Sequence, residues 1–138
     1  MTAFENAKKF FHACDAPEGW VGWKPYVAQD ASFFAQSEPL IDIDTVEAYC
    51  EWMFGMGSLA PGATYDLHTA SYDEENRMAV FFATYHLKHT GEGGPVAPTQ
   101  KEAHSQYVYV LTMNADNKVE KMVKIWNVPW AMKELGWA

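Results

Sequence analysis

Four stretches of strand composition follow a helical first half, and that order constrains the fold more than any single residue does. Thr64 to Tyr72, Met78 to His89, Ala103 to Met113 and Lys118 to Asn127 are rich in β-branched and aromatic residues, which suit a pleated, half-buried surface. Asn114-Ala115-Asp116-Asn117 separates the last two and predicts a hairpin turn. Upstream, Phe4, Ala7, Phe10, Phe11 and Cys14 fall at helical spacing over residues 3 to 14, ending before Asp15-Ala16-Pro17. Trp20 to Val27 reads as a second, short helix and Ala31 to Gln36 as a short strand. Asp44, with Glu47 three residues on, predicts the N-cap of a third helix reaching Gly57. The tail from Pro129 to Trp137 predicts a final helix with Pro in its first turn. Helices followed by strands indicate an α+β fold rather than βαβ units. No repeat or linker interrupts the 138 residues, so one domain over 1–138 is expected, large enough to bury about two-thirds of its unfolded surface.

Successive strand residues point to opposite faces, which sorts the side chains into two sets. Tyr65, Leu67, Phe81, Ala83, Tyr85, Leu87, Tyr107, Tyr109, Leu111, Val123, Ile125 and Asn127 form a mostly apolar set, expected to lie under the helices. Asp66, His68, Phe82, Thr84, His86, His104, Gln106, Met122, Lys124 and Trp126 form a mixed set, expected outside or at a subunit contact. Six Trp, seven Tyr and eight Phe supply more ring surface than a core of this size requires, so part of it is expected to line a cavity.

A formal net charge of −8 repels phosphate backbones and anionic lipids, so neither nucleic acid nor membrane is an expected partner. The N-terminus lacks a basic start and apolar stretch, and no run approaches the ~18 apolar residues of a membrane span, which gives a cytoplasmic expectation. Cys14 and Cys50 stand apart from any ligand-spaced Cys or His and read as reduced, packed thiols. No metal and no cofactor is expected. Gly91-Glu92-Gly93-Gly94 lacks the helix and the Lys-Ser/Thr ending of a phosphate loop and reads as a hairpin tip.

His89-Thr90-Gly91, Pro98-Thr99-Gln100-Lys101, Asn117-Lys118-Val119 and Trp126-Asn127 resemble, in order and spacing, the SnoaL-like pattern HTG, PPTGK, DGKI and W followed by D or N. The ending Lys124-Ile125-Trp126-Asn127 with Leu135-Gly136-Trp137 is similar to that of a subgroup with no assigned reaction. The resemblance spans the chain. It implies a nuclear transport factor 2-like, cystatin-like roll, in which a curved antiparallel sheet wraps around N-terminal helices as a cone with one internal pocket. It further implies a homodimer through the outer sheet face. Members include polyketide cyclases, isomerases, dehydratases and non-enzymatic binding subunits, so fold alone does not choose among them. The cyclases' acid/base Asp falls at Lys124 or Ile125 here and their His at Tyr109, so neither group is retained. Ile takes no proton, Lys124 is expected on the outer face, and a phenol with its ordinary pKa near ~10 is a poor base.

The ligand candidates are therefore Asn127, Tyr85, Tyr107, Tyr109, Tyr65, Trp23 and Trp52. Asn127 either hydrogen-bonds a ligand carbonyl or ties down the chain before Pro129, and both readings stand. The tyrosines polarise a carbonyl or pack as cross-strand aromatics, with packing favoured. Trp23 and Trp52 wall the cavity or simply pack. Asp66 and His68 form a base-and-orienter dyad only if the faces are inverted. His68, His86 and His104 read as a surface or dimer-contact cluster. The expected ligand is a small apolar or aromatic carbonyl compound, undergoing isomerisation, cyclisation or dehydration, or else held by a non-enzymatic binding or assembly module.

Overall fold

The computed structural model describes residues 1–14 and 19–138; the expected stop of the first helix at Asp15-Ala16-Pro17 lies outside them. Helix α1 (Ala3–Ala13) starts at a capping box: the Thr2 hydroxyl accepts from the Glu5 amide at 3.1 Å and the Glu5 carboxylate accepts from the Thr2 amide at 3.3 Å. Helix α2 (Trp20–Trp23) is shorter than expected and passes into a 3-10 turn over Lys24–Tyr26, after which strand β1 takes Val27–Ala35. Helix α3 (Val46–Leu59) is capped by Thr45, which accepts from the Ala48 amide, and not by Asp44. The Asp44 carbonyl accepts from the Phe33 amide at 2.9 Å and Thr45 bridges Ser32 of β1, so the chain is still extended there and the helix begins one residue later than expected. Strands β2 (Thr64–Asp73), β3 (Met78–Lys88), β4 (Glu102–Met113) and β5 (Val119–Trp126) follow, then helix α4 (Val128–Leu135).

The α+β architecture stands, with one correction. The five strands form an open sheet in the order β1-β5-β4-β3-β2 in which β1 runs parallel to β5, so the sheet is mixed rather than antiparallel. Chain order does not reveal this pairing, because β1 returns to the far edge across more than eighty residues.

Two β-bulges set which side chains face inward. In β2, Leu67 pairs with Ala83 and Thr69 with Phe82, leaving His68 as the extra residue. Between β4 and β5 the register runs from Tyr107 opposite Trp126 to Thr112 opposite Lys121, then steps to Met113 opposite Val119, leaving Glu120 extra. A bulge reverses the alternation beyond it. Val119 and Met122, three apart, are therefore both fully buried. The expected faces of β5 are corrected accordingly. Met122, Lys124 and Trp126 turn inward, while Ile125 is exposed and Val123 half-buried.

Helices α1 and α3 pack on the inner face through rings: Phe11 stacks on Phe81 with centroids 4.9 Å apart, and Tyr49 meets Tyr109 edge-on at 6.2 Å. The residues that carried the family resemblance form a clamp at the sheet's end. The Nδ1 atom of buried His89 accepts from the Thr99 amide and from the Trp137 indole at 3.3 and 3.0 Å. Gly91 donates its amide to the Leu59 carbonyl at 2.9 Å, and a Cβ there would lie 1.8 Å from the Ser58 carbonyl oxygen. Gln100, at the glycine position of the PPTGK pattern, holds φ +62°. These motifs fasten α3, the 89–101 loop and the C-terminus together.

Candidate functional site: a lysine-ended aromatic cavity

A cavity of about 430 Å³ opens along the later turns of α3 and the segment after it. Met53, Phe54, Gly57 and Ser58 wall one side, Ala60 to Ala63 the lip, Trp23 and Cys14 the other side, and Tyr85 the inner end. Behind it lies a small space of about 30 Å³ lined by Phe11, Cys14, Met53, Tyr85, Tyr107, Tyr109, Lys124 and Trp126. Cys14, Met53 and Tyr85 border both, so the two adjoin and the polar end of the site is Lys124.

Lys124 is buried, with 7% of its surface exposed. Its Nζ donates to the Tyr49 hydroxyl at 2.9 Å, and the Tyr49 and Tyr109 hydroxyls lie 2.7 Å apart, giving a chain of three polar groups from β5 through α3 to β4. Rings surround the amine: the Trp126 centroid is 4.4 Å from Nζ, Tyr49 5.1 Å and Trp52 5.5 Å, with Tyr107 and Tyr109 each at 5.9 Å. Trp126 is fixed by its indole donating to Ser105 Oγ at 2.6 Å, and Trp52 by stacking on Tyr49. Ring faces favour an ammonium ion, but they do not replace its hydration. Among the described residues no carboxylate pairs with Lys124. Burial therefore pushes its pKa down to about 7, with a smaller upward pull from Cys14. The Tyr49 and Tyr109 phenols are driven well above their ordinary value, chiefly by burial, so both are neutral donors and acceptors rather than bases. An amine that titrates near neutrality at the end of a ring-lined cavity is equipped to take and return a proton, or to attack an electrophile.

Of the expected ligand residues, Tyr85 and Trp23 line the cavity, and Tyr107 and Tyr109 line its inner end. Trp52 stands behind, over Lys124. Tyr65 is half-buried outside the cavity lining, its hydroxyl 2.5 Å from His12 Nδ1 and its ring edge-on to Phe11. Asn127 is exposed and caps α4, its side-chain oxygen accepting from the Trp130 amide at 3.3 Å. It anchors the chain before Pro129 and does not close the cavity, because the bulge at Glu120 turns Trp126 inward instead. Asp66 and His68 lie on the exposed side and do not pair with each other. Asp66 Oδ2 is 2.8 Å from His86 Nε2, His86 Nδ1 is 2.8 Å from His104 Nδ1, and His68 Nε2 is 2.7 Å from Thr84 Oγ1. Among the described residues no three His, Cys, Asp or Glu are placed to hold a metal ion, and no helix is long and apolar enough to cross a membrane. Cys14 and Cys50 are buried at the cavity wall and form no disulfide with each other; burial and the nearby Glu51 and Glu47 push the Cys50 thiol up to about 12.

Lys124 is the residue that sequence reasoning placed on the wrong side. A signal was present: Met122 and Trp126 on its parity are as apolar as Val123 and Ile125 on the other, and the adjacent charges Glu120-Lys121 mark the break in alternation.

No protein-family model matches the chain, and no curated protein matches it. Solved structures do. IdmH from Streptomyces antibioticus, described as a candidate polyketide cyclase, superposes with a TM-score of 0.80 at 12% identity, covering 99% of each chain. AclR from Streptomyces galilaeus, described as a candidate hydroxylase, gives 0.78 at 18% identity over 99% of this chain and 84% of its own. A SnoaL-like protein from Jannaschia, described as a candidate polyketide cyclase, gives 0.77 at 14% identity over 98% and 94%. At these identities the likeness is one of fold: the chain has the SnoaL-like, nuclear transport factor 2-like fold.

Proposed function

We propose that the cavity takes a small, mostly apolar carbonyl compound and that Lys124 moves a proton at the carbon beside the carbonyl, in an isomerisation, cyclisation or dehydration. The observation that carries this reading is the buried Lys124 amine at the inner end of a ring-lined cavity of about 430 Å³. That volume falls within the range of small-molecule sites. The neutral amine abstracts an α-proton, and the ammonium so formed offsets the charge growing on the enolate oxygen. The likeness to solved structures described as candidate polyketide cyclases supports a carbonyl-containing ligand.

The test is hydrogen–deuterium exchange at the α-carbons of benzylacetone, an arylalkyl methyl ketone, followed by NMR in deuterated buffer. Enzyme-dependent exchange that K124M abolishes is the expected result. Calorimetric binding without exchange would instead support a non-enzymatic binding module, a reading favoured by the replacement of the cyclase Asp and His at Lys124 or Ile125 and Tyr109. Absence of both binding and exchange would sink the ligand class. For the outer face we propose a homodimer, supported by exposed Phe34, Val80 and Ile125. A concentration-independent monomer mass in light scattering would rule it out.

A further inference from the structure

We propose that Lys124 is a nucleophile that forms an imine with terminal carbonyl compounds, aldehydes or methyl ketones, entering the cavity carbonyl first. The inference deepens the ligand reading above and rests on it for the apolar part of the molecule.

Three observations support the covalent step. First, the position of Nζ is chemical rather than structural. A lysine held for stability pairs with a carboxylate or extends its amine to water. Among the described residues Lys124 does neither: its one hydrogen bond is to Tyr49, and the space before it is lined by Phe11, Cys14, Met53, Tyr85, Tyr107, Tyr109 and Trp126. Methionine would fill the same volume without the cost of burying an amine.

Second, the space before the amine is small. About 30 Å³ adjoins Nζ, against about 430 Å³ in the outer cavity. That is room for a carbonyl carrying a hydrogen or a methyl group, or for a water or two, each needing about 10–15 Å³ of such space. A ketone flanked by two large groups has nowhere to put the second. The bulky part of the ligand must lie outward, between Trp23, Met53 and Phe54.

Third, the surroundings suit each stage of the condensation. The Nζ lone pair attacks the carbonyl carbon, the C–N bond forms, and the C=O π pair moves to oxygen. Tyr49, 2.9 Å from Nζ and 2.7 Å from the Tyr109 hydroxyl, relays a proton from the nitrogen to that oxygen and gives the carbinolamine. A second proton, from solvent, lets the oxygen leave as water while the nitrogen lone pair closes the C=N bond. One amine, one carbonyl and one proton thus become one iminium ion and one water, with no oxidant or reductant, and hydrolysis reverses the step. The iminium is a cation without a hydration shell. Trp126, Tyr49 and Trp52 present their faces at 4.4, 5.1 and 5.5 Å from the nitrogen, the environment that stabilises such a charge. Attack requires a neutral amine, and the downward push from burial leaves a large neutral fraction near neutral pH.

The experiment is reductive trapping with cyanoborohydride at pH near 7, using benzylacetone and, separately, propanal, followed by intact mass and peptide mapping. The expected result is a single added mass equal to the probe less one oxygen. It maps to Lys124 at least about tenfold above exposed Lys8 or Lys88. K124R retains a cation but is expected to lose the adduct, and Y49F is expected to slow its formation. Should K124R fail to fold, site mapping on the wild-type chain decides alone. If benzylacetone binds by calorimetry yet neither probe is trapped at Lys124, the imine is overturned and the proton-transfer reading stands. If propanal is trapped at Lys124 while benzylacetone does not bind, the imine stands and the aryl ligand reading fails. Trapping spread evenly over exposed lysines overturns the imine.

Discussion

Lys124 of β5 donates a hydrogen bond of 2.9 Å to the hydroxyl of Tyr49 on α3, the amine's sole hydrogen bond among the described residues. A single neutral phenol compensates little of what an ammonium loses on leaving water. The chain therefore keeps at its centre a group that opposes folding whenever it is charged.

That opposition depends on pH in a definite direction. Lys124 has a folded-state pKa of about 7, below its ordinary 10.5. Between those values the unfolded chain binds the extra proton, so stability rises with pH across this window. The rise from Lys124 alone is expected to be on the order of 5 kcal/mol. K124M removes the penalty: it should be more stable than wild type at pH 6, with the gap closing towards pH 10, as measured by urea unfolding at both values. A K124M protein destabilised at pH 6 would contradict the described burial.

Asn127 serves α4 and not the ligand. N127A removes the side-chain acceptor for the Trp130 amide and should cost about 1 kcal/mol of stability. Exchange or trapping rates per folded molecule should match wild type; a loss of activity at unchanged stability would return Asn127 to the site.

Gly91 has no room for a side chain. G91A sets a Cβ against the Ser58 carbonyl oxygen, and backbone must move because the clash is not with a flexible side-chain end. A loss of at least about 2 kcal/mol is expected in chemical unfolding. Ser58 lines the cavity, so ligand affinity should fall as well.

Gln100 takes the left-handed conformation at φ +62°. Glycine adopts it without the Cβ penalty of about 1 kcal/mol. Q100G should raise the melting temperature by a few degrees, the increment remaining after glycine's greater freedom in the unfolded chain is subtracted. An unchanged or lowered midpoint would show that the Gln side chain contributes contacts of its own.

Local signals located most of the elements. Phe4, Ala7, Phe10 and Phe11 recur at helical spacing, and the stretches from Thr64 onward are rich in β-branched and aromatic residues between turn signals, so α1 and β2 to β5 lie close to where the pattern puts them. The inward placement of Tyr85, Tyr107 and Tyr109 also follows from alternation. What the pattern missed required distant partners. β1 begins at Val27 because that residue pairs with Val119 across the molecule, and Thr45 caps α3 because Asp44 is engaged with Phe33. Lys124 was hidden for a related reason. Both parities of β5 are apolar enough to be buried, and the register step near the hairpin turn chooses between them. Chemical intuition that a lysine faces water chose wrongly.

The extra residue at Glu120 makes the site's chemistry a matter of phase rather than of composition. Were Glu120 to pair with Thr112 instead of bulging, every later residue of β5 would face the other way: Val123 and Ile125 would face the cavity and Lys124 would face water, with every site residue still encoded. Deleting Glu120 is a different change: it closes the bulge, leaves Lys121 opposite Thr112 and Lys124 opposite Tyr109, and keeps the amine inside. The reactive interior thus hangs on one unpaired residue beside the hairpin turn and not only on the residues that line the cavity.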